Sequence, residues 1–163
     1  MKKLRIYLDT SIISYLDQQD APEKMTETLK FWGKIQAGEF DVFTSSVAIE
    51  ELERCNDKKL LCLKNYLSNI NFTLLEKSDE VNELAKLYVS ANVLTQKSFD
   101  DCLHIAYACV YNCDMIVSWN FKHIVNYKTI SGVKSVNATA GYREMLIYTP
   151  TMLIEKEETD DTL

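Results

Sequence analysis

Three acidic positions give this chain its chemical interest: Asp9, the pair Glu50-Glu51 and the pair Asp100-Asp101. Asp9 ends the apolar run Leu4-Arg5-Ile6-Tyr7-Leu8 and is followed by Thr10-Ser11. A run rich in Ile, Leu and Tyr, bounded by small polar residues, reads as a short buried strand. Ligands of open α/β sheets bind outside the carboxyl ends of the strands, which is where Asp9 falls. A carboxylate there is costly unless it is hydrogen-bonded or meets a cation. An Asp at that point is also a common helix cap, so alone it supports either role.

Glu50-Glu51 follows a second apolar run after Thr44-Ser45-Ser46-Val47-Ala48-Ile49. With Ser46 as N-cap, Glu51 lies more than one turn into the helix, beyond the reach of a capping-box acid. One member of an adjacent pair can face the sheet while its neighbour is solvated. The ordinary alternative is an exposed pair near Glu53 and Arg54.

Asp100-Asp101 stands in Lys97-Ser98-Phe99-Asp100-Asp101-Cys102-Leu103-His104-Ile105-Ala106. Ser98 with Asp101 three residues later matches a capping box, though a capping acid can also be a metal ligand at a helix N-terminus. The helix beyond is apolar nearly all round, so it is expected to be buried, with two acids at its mouth. His104 shares a face with Asp101. A lone His in an apolar helix is more often a hydrogen-bonded core residue than a ligand. Asn120, in Ser118-Trp119-Asn120-Phe121-Lys122-His123, follows another strand-like run and suits a helix cap or a group that orients metal-bound water.

In a doubly wound sheet the carboxyl ends of strands one, two and four converge on one rim. Asp9, Glu51 and Asp101 then form an all-oxygen site with Asn120 beside it. Oxygen donors without Cys or paired His favour Mg²⁺ or Mn²⁺ over Zn²⁺. Such a site suits phosphoryl chemistry, in which the metal activates water and neutralises the leaving oxygen. Rival phosphate chemistries fail on the same residues. A haloacid-dehalogenase-type phosphatase needs a second Asp where Ser11 stands, and a response-regulator receiver needs an acidic pair where Asp9 is single. No Walker A or GxGxxG pattern occurs.

The elements that must position these groups are legible from periodicity. Strands are expected at 4–8, 40–44, 71–75, 114–118 and 145–149. Helical spacing covers 22–37, opened by Pro22-Glu23, then 46–54 begun after Ser45 or Ser46 as N-cap, 57–69, 79–91 capped by Ser78, 98–112 capped by Ser98, and 121–140 stopped by Gly141. Strands alternating with helices imply a mostly parallel sheet covered on both faces.

At 163 residues the chain is expected to form one domain over 1–150, followed by an acidic tail over 151–163 that frays. Its 47% hydrophobic and 26% charged content is ordinary for a globular protein. A net charge of −6 does not fit a general nucleic-acid binder, so bound nucleic acid would need a metal ion or a local basic patch. Five cysteines without a CxxC pair fit small buried residues in a reducing cytosol, hence a cytoplasmic expectation. Asp9 interrupts the first apolar stretch before a signal-peptide core forms, and no segment is long enough to span a membrane.

Taken in order, Ile6-Tyr7-Leu8-Asp9-Thr10-Ser11, Ser46-Val47-Ala48-Ile49-Glu50-Glu51-Leu52, Phe99 to Ala106 and Val117-Ser118-Trp119-Asn120-Phe121 resemble the PIN-domain family, particularly its bacterial VapC-like members. The likeness covers residues 4 to about 150. It implies a three-layer α/β/α sandwich with a mostly parallel sheet of about five strands, and a Mg²⁺- or Mn²⁺-dependent ribonuclease. Carried over by position, Asp9 is the first acid, Glu51 the second and Asp101 the third, leaving Asp100 as a solvated neighbour. Where the family often has a further Asp, this chain has Asn120, which keeps an oxygen but loses charge and so lowers the expected metal affinity or turnover. Thr10, Ser11, Ser118 and Lys122 are expected beside the acids or against substrate, with Lys97, Lys122 and His123 as a basic rim. The leading expectation is an endoribonuclease toxin of a type II toxin–antitoxin pair, partnered by RNA, an antitoxin protein and a second copy of itself. The rivals are a PIN-like RNA- or protein-binding module with little or no nuclease activity, and an orphan RNA-processing nuclease.

Overall fold

The computed structural model describes residues 2–154; the acidic stretch from Glu155 onward, expected to fray, lies outside the described residues. The five strand-like runs form β1 (Leu4–Leu8), β2 (Phe40–Ser45), β3 (Thr73–Leu75), β4 (Met115–Val117) and β5 (Leu146–Tyr148). They make one sheet in the order β3-β2-β1-β4-β5, with every neighbouring pair parallel. The helices are α1 (Thr10–Ser14), α2 (Pro22–Gln36), α3 (Ser46–Leu52), α4 (Asp57–Ser68), α5 (Asp79–Ser90), α6 (Phe99–Val110) and α7 (Tyr127–Ala140). After β3 the chain crosses back to lay β4 on the far side of β1, so the topological switch point lies between β1 and β4.

Alternation along β1 builds the three layers. Ile6 and Leu8 pack with Val42, Met115, Val117 and residues of α1, α2 and α4 on one face. Tyr7 joins Phe43, Ile116 and residues of α5, α6 and α7 on the other. A parallel sheet covered on both faces needs apolar residues at successive positions, and the runs Ile6-Tyr7-Leu8 and Met115-Ile116-Val117 supply them. Cys102, Cys109 and Cys113 are buried thiols in the α5–α6–α7 layer, and no described cysteine is bridged. Beyond β5 a 3₁₀ turn at Pro150–Met152 returns the chain to the other layer, where Leu153 and Ile154 pack. No helix among the described residues is long and apolar enough to cross a membrane.

Three helix starts are decided by local hydrogen bonds, and two of them differ from expectation. Of the two serines expected to cap α3, the hydroxyl that does so belongs to Ser45, which accepts from the Ala48 N–H. Ser98 makes no side-chain cap; α6 is entered from a 3₁₀ turn at Gln96–Ser98, so Asp101 is not half of a capping box. The last long helix starts at Tyr127, not residue 121. The Asn120 side chain accepts from the His123 N–H, and Asn126 donates to the carbonyls of Phe121 and Lys122. Those bonds close a separate turn over 121–126, after which Asn126 caps α7 by accepting from Thr129 N–H.

At the amino ends of the central strands, Asp114 clips β1 to β4. Its Oδ2 accepts from the Arg5 backbone N–H at 2.7 Å and its Oδ1 from Arg143 at 3.1 Å. Burial alone would raise this carboxyl, but the Arg5 bond and the Arg143 guanidinium outweigh it and hold it below its usual range. A depressed folded-state pKa gives stability that is present above the unfolded value near pH 4 and is lost as pH falls through the folded one. Asp114→Asn is therefore expected to lower stability by about 1 kcal/mol at pH 7. In urea denaturation run from pH 7 to about pH 2.5, the gap to wild type should narrow on the acid side. A gap independent of pH would remove the charge as its source.

Candidate active site

Asp9 sits at the carboxyl end of β1 and is 3% exposed. Its Oδ1 accepts from the Ser11 hydroxyl at 2.6 Å and from the Ile12 N–H at 3.3 Å, so it caps α1 as the sequence allows. Its Oδ2 accepts from the Ser118 hydroxyl at 2.5 Å. Each serine is used twice. Ser11 Oγ accepts from Trp119 N–H at 2.8 Å, and Ser118 Oγ accepts from Asn120 N–H at 2.9 Å. Burial pushes the Asp9 carboxyl above its usual range, against the lowering effect of His104 and the two hydroxyls.

His104 of α6 is 1% exposed and links the remaining groups. Its Nε2 lies 2.7 Å from Glu51 Oε1 and 3.3 Å from Thr10 Oγ1; its Nδ1 lies 2.7 Å from the Tyr7 hydroxyl. That hydroxyl in turn lies 2.7 Å from Ser45 Oγ. A ring nitrogen facing a carboxylate carries the proton and donates it to the hydrogen bond. Burial works against charge on His104, but the Glu51 bond and the charges of Glu51, Asp9 and Asp101 raise its pKa overall. Glu51 is raised by burial yet lowered more by the same His104 contact. Glu51 thus faces inward as an ion-pair partner, while Glu50 is exposed and meets Lys77 at 3.4 Å.

Asp101 opens α6 on the same rim. Its Oδ1 accepts from the Asn120 Nδ2 amide at 3.2 Å. Because the Asn120 oxygen already accepts from the His123 N–H at 2.9 Å, the amide presents N–H to Asp101 and keeps its oxygen in the turn. Asn120 therefore holds Asp101 instead of offering it an oxygen neighbour. Burial raises the Asp101 carboxyl; His104 and His123 pull it down, while Asp9 and Glu51 push it up. Asp100 is solvated, and Lys122 is exposed on the turn beyond.

The structure thus brings Asp9, Glu51, Asp101, Thr10, Ser11, Ser118 and Asn120 to one end of the sheet, and adds His104 and Tyr7. Spacing carried the signal for His104, which lies one helical turn after Asp101. Tyr7 carried none, because a strand tyrosine is ordinary core.

The donor chemistry fits a hard divalent cation: three carboxylates share one rim, burial lifts two of them, and Asp101 Oδ2 accepts no hydrogen bond among the described residues. The side chains are not gathered for one. Among the described residues no three His, Cys, Asp or Glu side chains stand close enough to hold a metal ion. A surface cavity of about 850 Å³ lies away from this rim, at the opposite end of the sheet, against Lys3, Arg5, Asp41 and Asn71.

No family model matches this chain, and neither does any curated protein. Among solved structures it resembles VapC20 of Mycobacterium tuberculosis, a sarcin-ricin loop cleaving toxin, with a TM-score of 0.56. The identity is 16%, over 86% of this chain and 98% of that one. The likeness is one of architecture: the chain has a VapC-like PIN fold, a three-layer α/β/α sandwich around a five-stranded parallel sheet.

Replacing His104 by Leu leaves the buried Tyr7 hydroxyl and the inward Glu51 carboxylate without their partner. Removing one side of a buried hydrogen-bonded pair typically costs about 3–5 kcal/mol. Urea denaturation of His104→Leu should show a loss of that order. A loss below about 1 kcal/mol would mean that the ring is not what satisfies those two groups.

Proposed function

We propose that this protein is a metal-dependent endoribonuclease that hydrolyses RNA phosphodiester bonds, and that it acts as the toxin of a type II toxin–antitoxin pair in the cytoplasm. The observation that carries the reading is that Asp9, Glu51 and Asp101, from three separate segments, lie on one rim at the carboxyl ends of the strands of a VapC-like PIN fold. The VapC20 structure of that fold belongs to a protein that cleaves the sarcin-ricin loop, which makes RNA the substrate class of choice here.

In this reading Asp9, Glu51 and Asp101 hold Mg²⁺ or Mn²⁺. Such an ion, when bound, supplies a nucleophilic water and neutralises charge on the phosphate and the leaving oxygen. The chain's own residues do the rest. Ser11 and Ser118 favour the ionised form of Asp9 against its burial and fix its orientation. His104 keeps Glu51 ionised and inward, with Thr10 beside the same nitrogen. Asn120 steers Asp101. One of the carboxylates takes the proton from the attacking water. Lys97, Lys122 and His123 form a basic rim for phosphates on an otherwise acidic chain. An antitoxin and a second copy of the chain are the protein partners this role requires.

The second reading is a PIN-like module that binds RNA or protein and cleaves poorly. The spread carboxylates and the inward-facing N–H of Asn120 favour it. Calorimetric titration of Mn²⁺ separates the two, since a module without catalysis needs no carboxylate-dependent metal binding.

Asp9→Asn and Asp101→Asn are each expected to cut Mn²⁺-stimulated RNA cleavage by at least about a hundredfold while the circular dichroism spectrum stays native. Full activity in both variants would end the nuclease reading. Asn120→Asp places a fourth carboxylate against Asp101. It should lower the thermal midpoint of the metal-free protein and tighten Mn²⁺ binding by roughly tenfold, as charge count tunes oxygen sites. Unchanged Mn²⁺ affinity would exclude position 120 from the metal's surroundings.

A further inference from the structure

The charge balance of this chain, 24 acidic against 18 basic side chains, makes an unpaired cation beside the acidic rim worth explaining. Lys24 of α2 is one. Its ammonium forms no ion pair among the described residues, although Glu23 and Glu27 are neighbours on the same helix. Instead it faces three aromatic rings, with Nζ 5.3 Å from the centre of Phe121, 5.6 Å from Tyr15 and 5.9 Å from Trp119. Those distances are within cation–π range. The rings also meet one another, Tyr15 to Trp119 and Trp119 to Phe121, each with centroids 6.3 Å apart.

The cluster is wired to the acidic rim. Trp119 and Phe121 flank Asn120 in sequence. The Trp119 backbone N–H donates to Ser11 Oγ, the hydroxyl that donates to Asp9. The Trp119 indole N–H donates to Thr28 Oγ1 at 2.8 Å, one turn along α2 from Lys24. Trp119 is buried by these contacts, whereas Phe121 is 48% exposed and presents ring surface to solvent. The turn that carries Phe121 then exposes Lys122 and, at the start of α7, Tyr127 and Lys128. Lys122, His123 and Lys128 line a small cavity of about 180 Å³ with Ser98.

An exposed aromatic ring with a carboxylate-free cation against it, packed on a tryptophan whose backbone reaches a candidate metal-binding acid through one serine, matches one chemistry well. A nucleobase stacks on such a ring, and its phosphate meets the ammonium. Only a base free of its helix can do so, because within a helix its stacked neighbours cover both of its faces.

We propose that Lys24 and Phe121, backed by Tyr15 and Trp119, form a subsite for one unpaired nucleotide of an RNA strand lying across the acidic rim. The base stacks on Phe121, the adjoining phosphate contacts Lys24, and the strand continues toward Lys122 and Lys128. The proposal rests on the ribonuclease reading for its ligand, and its test is kept separate from cleavage.

The test is fluorescence anisotropy on the full chain in EDTA, with a labelled single-stranded oligoribonucleotide and the same strand annealed to its complement. Phe121→Ala is expected to weaken single-strand binding by about 5- to 150-fold. Duplex binding should be unchanged, and Phe121→Trp should restore the loss. Lys24→Met should weaken single-strand binding and reduce the salt dependence of log K by about 0.7, the share of one phosphate. Leu61→Ala, an exposed leucine of α4, should bind as wild type does. A role confined to holding the turn would lower the thermal midpoint of Phe121→Ala and leave the single-strand and duplex affinities in their original ratio, which overturns the proposal. Wild-type affinity in both Phe121→Ala and Lys24→Met, or no binding of the single strand by wild type, also overturns it. If those losses occur but no Asp9-dependent cleavage exists, the subsite stands and the nuclease reading falls. If cleavage depends on Asp9 but not binding on Phe121, the reverse holds.

Discussion

The carboxylate of Asp9, desolvated at the junction of β1 and β4, is the constraint on which the rest of this end of the molecule depends. A buried charge must collect hydrogen bonds, and the chain supplies them from two serines that lie far apart in sequence. Both serines pass the constraint on, because each also accepts a backbone N–H from the segment after β4. The path of Trp119 and Asn120 is thereby fixed by the side chain that follows β1. Satisfying one acid dictates where the next strand's turn runs, and with it the groups that reach Asp101.

The charge balance of the rim follows from the same economy of partners. Three carboxylates face a single buried imidazole, which pairs with Glu51 and offsets the other two only at longer range. Glu51 is held ionised, while burial lifts Asp9 and Asp101. The rim is under-compensated for its negative charge, and that is the electrostatic condition a divalent cation relieves. Tyr7 closes the network from the sheet side, since its hydroxyl joins His104 to the Ser45 cap and so links α6, β1 and the start of α3.

Much of this organisation is legible in the amino-acid sequence. Apolar runs bounded by small polar residues mark all five strands, and the chain order of acids after strands one and two points to their common rim. Groups whose roles are decided by tertiary partners are not legible in that way. His104 reads as core because its face of α6 is apolar, and it is core; only the fold shows that Glu51 comes to its Nε2. Ser98 and Asp101 have capping-box spacing, but the preceding 3₁₀ turn removes the extended geometry that a cap needs. The helix expected from residue 121 fails for a similar reason. Asn120 and Asn126 offer the backbone side-chain partners that compete with helical bonds, and their bonding depends on where Ser118 is anchored.

The central position of β1 has a kinetic meaning. Its neighbours flank it on opposite sides of the sheet and come at different points along the chain: β2 early, and β4 only after α6, so the bond from Ser118 to Asp9 spans 109 residues. Contacts that distant carry a large loop-closure entropy cost, which slows the folding of the domain as a whole. A nascent or partly folded chain therefore carries Asp9, Glu51 and Asp101 without carrying their meeting point. The acids share a rim only where β4 lies beside β1, so the site belongs to the completed crossover and to no single segment of the chain.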